Sequence, residues 1–207
     1  MPNWCNNSLT IDAEYRNKII NKDEEVDFNI VLPMPESLYV ESGSSNDFDM
    51  YIYLSDKMLK SLDEVRKNPL SNLIENQFSK DWLKEISERV MEYAKENPDR
   101  IELSYQRGSI LINNYKNYGA ITWYEWCNKV WGVKWNASDS YIENESIEFN
   151  TPWGPPVGWL EKLASLGIPF ILKWEEESGC YGTYVSDGKT LIEIESGIID
   201  YDEYEEE

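Results

Sequence analysis

The chain has 207 residues with 39 acidic and 19 basic, a formal charge of −20, and no histidine. A surface this negative repels phosphate backbones, which disfavours direct nucleic-acid binding. The missing His removes the commonest general base, triad partner and metal ligand.

Apolar residues make up 41% and aromatics 14%, enough for a sizeable core in one large domain or two small ones. No apolar run reaches the roughly 18 residues of a membrane span. The three cysteines are odd in number and widely spaced. They read as small buried residues of a reducing cytoplasm, too few for an all-cysteine iron–sulfur cluster.

The opening MPNWCNN lacks the basic start and apolar run of a secretory signal. The mature protein is therefore expected to begin inside its fold, with Trp4 packed. Residues 4–12 read as a strand. Val26–Leu32 reads as a second, ending at Pro33-Met34-Pro35, which forbid a helix and mark an exit loop. Residues 41–49 (ESGSSNDFD) have loop composition.

Two helices are predicted next. Met58, Leu59, Leu62 and Val65 recur at helical spacing, with Asn68-Pro69 as the stop. Leu83, Ile86, Val90 and Ala94 form a second apolar face between Ser79 and Asn97-Pro98. Ile101–Tyr105 and Ser109–Ile112 read as a hairpin around Arg107-Gly108. A third helix over Gly119–Val130 carries an apolar stripe, Trp123, Trp126, Cys127, Val130 and Trp131, ended by Gly132. Such a stripe is expected in the core.

Ser146–Asn150 is the next strand. Pro155-Pro156 opens a helix with Val157, Leu160, Leu163 and Ala164 inward, ended by Gly167. Pro169–Trp174, Cys180–Val185 and Lys189–Ile194 are strands, the last two joined at Ser186-Asp187-Gly188. The segment TPWGPPVGW is expected to be a Trp-on-Pro packing corner, with a rigid binding surface as the other possibility. Asp200–Glu207 is nearly all acid. From Trp174 to the end there are twelve acidic residues and one base, Lys189, a net −11 of the chain's −20.

Constellations for chemistry are few. Glu175-Glu176-Glu177 alternates across a strand end, as a solvated edge would. No calcium loop or Gly-rich phosphate cradle is present. Cys127 lacks any His partner. No metal site and no cofactor is expected.

Three stretches, MPNWCNN, Phe28–Pro35 (FNIVLPMP) and Tyr124–Ala137 (YEWCNKVWGVKWNA), resemble the YubB-like family carried by plasmids and bacteriophages. The resemblance covers nearly the whole chain. It implies an α+β fold: an antiparallel sheet with helices packed on one face, the C-terminal half ferredoxin-like. TPWGPPVGWLEKLASLG resembles the first strand and helix of that domain, and WEEESGCYGTY the paired strands after it. A second helix is not evident after Val185. The expected organisation is an α+β region at 1–143 with a helical insertion at about 56–98, a ferredoxin-like domain at 144–199 and an acidic tail at 200–207. The resemblance supplies no catalytic residues. It implies a mobile-element accessory protein of the bacterial cytoplasm.

The leading expectation is a non-enzymatic protein that binds a basic host protein. That partner would be a nucleic-acid-binding defence component, and the acidic surface would stand in for phosphates. Glu175, Glu176, Glu177, Asp200, Asp202, Glu203 and Glu205 are the candidate contacts. The alternative is a binder of a nucleotide signal, with Arg100, Arg107 and Lys116 on its phosphates and Tyr118 or Trp123 stacked on its base. Neither nucleic acid nor a membrane is an expected partner.

Overall fold

The computed structural model describes residues 3–43, 45–60, 96–143 and 145–199. The chain divides into two units. One is built from residues 1–36 and 123–207, the other from 37–122. The boundary expected at 143/144 instead falls inside the first unit, in a hairpin of its sheet.

That sheet holds six antiparallel strands: β1 (Trp4–Ile11), β2 (Ser138–Glu143), β3 (Ser146–Pro152), β4 (Pro169–Glu176), β5 (Cys180–Asp187) and β6 (Leu191–Ile198), in the order β2-β3-β1-β4-β5-β6. β1 pairs antiparallel with both β3 and β4, so those two run parallel with β1 between them. They are joined by helix α5 (Val157–Ser165). By the same logic β2 runs parallel to β1 across β3, and helix α4 (Trp123–Val130) precedes β2. Two interleaved strand–helix–strand units in the order β4-β1-β3-β2 make the ferredoxin-like βαββαβ pattern, and β5–β6 extends it at the β4 edge.

The sequence expectation needs correction here. The 146–174 segment is the second half of the pattern, not the first. The first strand is β1, and the helix sought after Val185 is α4, before β2.

Alternation explains the core. Cys5, Asn7, Leu9 and Ile11 of β1 point to one face, beside Ile147, Phe149 and Thr151 of β3 and Phe170 and Leu172 of β4, and all are buried. On that face Phe28 stacks at 4.8 Å from Trp159 and 5.6 Å from Trp131, and Phe149 lies 6.3 Å from both Phe28 and Trp159. The stripe on α4 is core as expected: Trp126, Cys127 and Trp131 are buried. The Trp131 indole donates to the Leu32 carbonyl at 2.9 Å. Gly132, at φ 87°, closes that helix in the left-handed region.

Four local expectations are overturned. Val26–Leu32 is not a strand. Its period-two pattern is real, but side chains capture the backbone: Asp27 accepts from the Asn29 amide, Asn136 accepts from the Phe28 amide, and Asn29 accepts from the Met34 amide. A 3-10 turn at Phe28–Ile30 results. Residues 41–49 are only partly loop, since helix α2 (Ser45–Lys60), the next after the short α1 (Ala13–Arg16), starts within them.

The hairpin at 101–112 is instead helix α3 (Pro98–Tyr118). Gly108 is there because a Cβ would lie 2.0 Å from the Asp49 carbonyl oxygen of α2. It permits a helix contact, not a turn. Gly119, expected to open the next helix, ends α3 at φ 65°, and α4 starts at Trp123.

In the second unit α2 packs on α3 through Tyr53, Leu54 and Ile112, with Tyr53 and Tyr105 rings 5.1 Å apart. The helical patterns beyond residue 60 and up to residue 95 lie outside the described residues. So does the tail at 200–207.

Candidate functional site

The second face of the sheet is turned to solvent, and its residues follow from the register. One row across the strands reads Tyr141, Glu148, Ser8, Lys173, Thr183 and Glu195. The next reads Ser138, Asn150, Asn6, Glu175, Tyr181 and Gly197. With Glu143 of β2, four strands place four glutamates on this face, against one cation, Lys173.

Glu148 is held in place. Ser8 Oγ donates to it at 2.6 Å and Ser146 Oγ at 2.5 Å. Glu175 and Glu195 are exposed. They border an open groove of about 610 Å³ with Lys173, Tyr181 and Thr183 on its floor. Gly197 lies under it, and a Cβ there would meet the Tyr181 ring at 2.9–3.0 Å and displace that side chain. A second groove, of about 530 Å³, opens at the other end of the sheet around Arg16, Ile171 and Val185. Arg16 reaches the Glu145 carbonyl at 3.0 Å, and its Nε is buried without a partner.

The other face is structural where it carries polar groups. Asn7 donates to the Cys5 and Phe149 carbonyls and, at 2.7 Å, to Thr151 Oγ1. Thr151 in turn donates to the Gly154 carbonyl. Burial pushes the Cys5 thiol up to about 12 and the Cys127 thiol up to about 11, so neither is a nucleophile near neutrality. Among the described residues no three His, Cys, Asp or Glu side chains converge to hold a metal ion.

The acidic triplet is split by the pleat. Glu175 lies on the solvent face, Glu177 is exposed beyond the strand, and Glu176 is buried on the core side. β4 is an interior strand, so the triplet is no sheet edge. Hydrogen bonds from Ser178 hold the Glu176 carboxyl below its ordinary range. Asp200, Asp202, Glu203 and Glu205 lie outside the described residues.

The alternative cluster is spread along α3. At about 100° per residue, Arg100 and Arg107 share a side about 10 Å apart, while Lys116 points to the opposite side. Arg107 is bound at home, 3.4 Å from Asp49 Oδ2 and donating to the Glu41 carbonyl and Asn46. Tyr118 ends the same helix, 38% exposed. Trp123 belongs to the other unit.

Sequence reasoning missed Glu148 and Glu195. Their signal was available only as strand parity, and β2, which carries Glu143, was missed altogether because it is a polar edge. The corner TPWGPPVGW divides: Trp159 is fully buried, whereas Trp153 is 59% exposed in the left-handed region at φ 72°.

No described helix is long and apolar enough to cross a membrane. No curated protein matches the chain. Among solved structures, the crystal structure of a protein Api92 from Yersinia pseudotuberculosis aligns over 97% of this chain and 99% of its own, at 14% identity and a TM-score of 0.35. Residues 130–207 match the family described as the ferredoxin-like domain in Api92-like protein. The chain is thus an α+β protein on a six-stranded antiparallel sheet, and its residues 130–207 are similar to the ferredoxin-like domain of Api92-like proteins, with β1 from the N-terminal end completing the pattern.

Proposed function

We propose that the chain is a non-enzymatic accessory protein of phage or plasmid kind that binds and blocks a basic host protein. The observation that carries this is the solvent face of the sheet, where Glu143, Glu148, Glu175 and Glu195 stand on four strands and Lys173 is the one basic residue among the paired positions. A rigid sheet fixes such carboxylates in a two-dimensional array, with strands about 4.8 Å apart. A fixed array loses less entropy on binding than charges on a mobile segment. The partner favoured by this chemistry is a nucleic-acid-binding protein of a defence system, whose basic groove would accept carboxylates in place of phosphates.

The test is capture from a bacterial host lysate at about 0.15 M and about 0.5 M salt, with duplex DNA as competitor. The reading expects a basic nucleic-acid-binding protein that is released by DNA. It also expects release at high salt and on changing Glu148, Glu175 and Glu195 to Gln together. A partner indifferent to DNA removes the phosphate-mimicry reading; no partner in either salt removes the partner-binding reading itself.

A further inference from the structure

β6 stands at the end of the strand order, and among the described residues its only sheet neighbour is β5. It runs for eight residues, LIEIESGI, without a Lys or Pro. Edge strands of globular proteins are normally blunted by such residues, because an open row of amides templates further pairing. Its blunting devices are the charges of Glu193 and Glu195 and the register shift facing Thr183 and Tyr184, and they leave the Glu195–Ile198 ladder regular. Ile192, Ile194 and Ile198 are 56%, 63% and 73% exposed.

The direction of the free amides follows from one bond. The Ile199 amide donates to the Gly179 carbonyl at 2.8 Å, toward β5. In an antiparallel ladder this alternates, so Gly197 and Glu195 also address β5. Ser196 and Ile198 turn their N–H and C=O groups to the open side.

We propose that β6 is a strand-addition site whose open edge takes up an extended segment of a basic partner, one in which lysines or arginines alternate with apolar residues. Charge decides the occupant. β6 carries two acidic side chains, Glu193 and Glu195, and no basic one. A second copy of the chain would oppose like charges across the new pair, which is destabilising. Along the regular stretch Glu195–Ile198, a basic strand sets a lysine beside Glu195 on the solvent face and its apolar side chains beside Ile198 on the opposite face, with main-chain bonds supplying the docking. This rests on the proposed binding to a basic protein and gives that binding a surface.

The probe is a fluorescein-labelled ten-residue peptide of alternating Lys and Val, titrated with the full chain by anisotropy at about 0.15 M salt. Saturable binding is expected. The same peptide with its backbone N-methylated keeps every charge and should bind at least about tenfold more weakly. Ser196→Pro removes an outward amide while sparing the β5 ladder. It should weaken the parent peptide to a similar degree, with circular dichroism and Tm unchanged.

Equal binding of the methylated peptide overturns the proposal in favour of plain charge adsorption. Equal binding of a Glu/Val peptide overturns the choice of a basic occupant. A dimer in sedimentation that Ser196→Pro dissolves assigns the edge to a second copy and overturns it as well. If the peptide fails while a DNA-displaceable host partner is still captured, β6 is not the surface and the proposed function stands. If both fail, both fall.

Discussion

Gly158 sits where α5 begins, and a Cβ added there would lie 2.3 Å from the Val130 carbonyl oxygen at the end of α4. The ferredoxin-like pattern therefore depends on one missing methyl group, because that carbonyl is backbone and cannot rotate away. Gly158→Ala should cost about 1–3 kcal/mol by overpacking. Gly154→Ala, with nothing within 4 Å of its Cβ, should stay within about 0.5 kcal/mol. Denaturant midpoints of the two variants compare them directly; equal midpoints would mean the helix ends can separate at little cost.

Thiol reactivity is set residue by residue in the same way. Cys5 and Cys127 are buried, with thiols pushed up to about 12 and about 11, while Cys180 is part-exposed beside Ser178. Iodoacetamide on the native protein at about pH 8 should modify Cys180 first and leave Cys5 to denaturant. Peptide mass spectrometry would show the order, and early labelling of Cys5 would mean β1 opens.

At the scale of elements, the β5–β6 hairpin is tied by Asp187, whose carboxylate accepts from the Lys189 and Thr190 amides at 2.9 and 3.1 Å. Those amides hold the carboxyl below its ordinary range. A depressed folded value means the contribution is fully present above the unfolded value, about 3.9, and is lost as pH falls through the folded one. The stability advantage of the wild type over Asp187→Ala should thus be constant near neutrality and shrink below about pH 4. Urea melts across that range read it; an advantage that grows with acid would contradict the assignment.

What the sequence made legible at this scale was periodicity. β1, β3, β4, β5, β6, α4 and α5 all have regular apolar spacing, and each is close to where the pattern places it. The failures have physical causes. At Asp27, Asn29 and Asn136 short polar side chains took the backbone bonds a strand would have used. At Gly108 a glycine that permits helix contact looked like one that permits a turn. β2 shows no alternation because it is an exposed edge. The site was legible only in part: Glu175 was found by its acidity, but pairing it with Glu148 and Glu195 requires the order of strands. No local pattern carries that order, since β1 meets β3 and β4 from more than 130 residues away.

For the whole molecule, 39 acidic residues against 19 basic ones mean self-repulsion. Compact charge of one sign destabilises the folded state, and salt screens it over about 10 Å at 0.1 M. Raising salt from about 10 mM to about 0.3 M should therefore raise Tm. Calorimetry would show it, and a flat response would mean the carboxylates are already neutralised locally. The same screening should weaken any basic partner, so stability and partner binding are expected to move in opposite directions with ionic strength.

The central place of β1 has a consequence for synthesis. β1 is made early, but both its sheet partners, β3 and β4, follow more than 130 residues later. At about 5–20 residues per second a ribosome needs roughly 10–30 s to deliver them. For that interval Trp4, Leu9 and Ile11 are a finished sequence without a fold. Until then the segment that ends up between β3 and β4 stays open to chaperones and proteases.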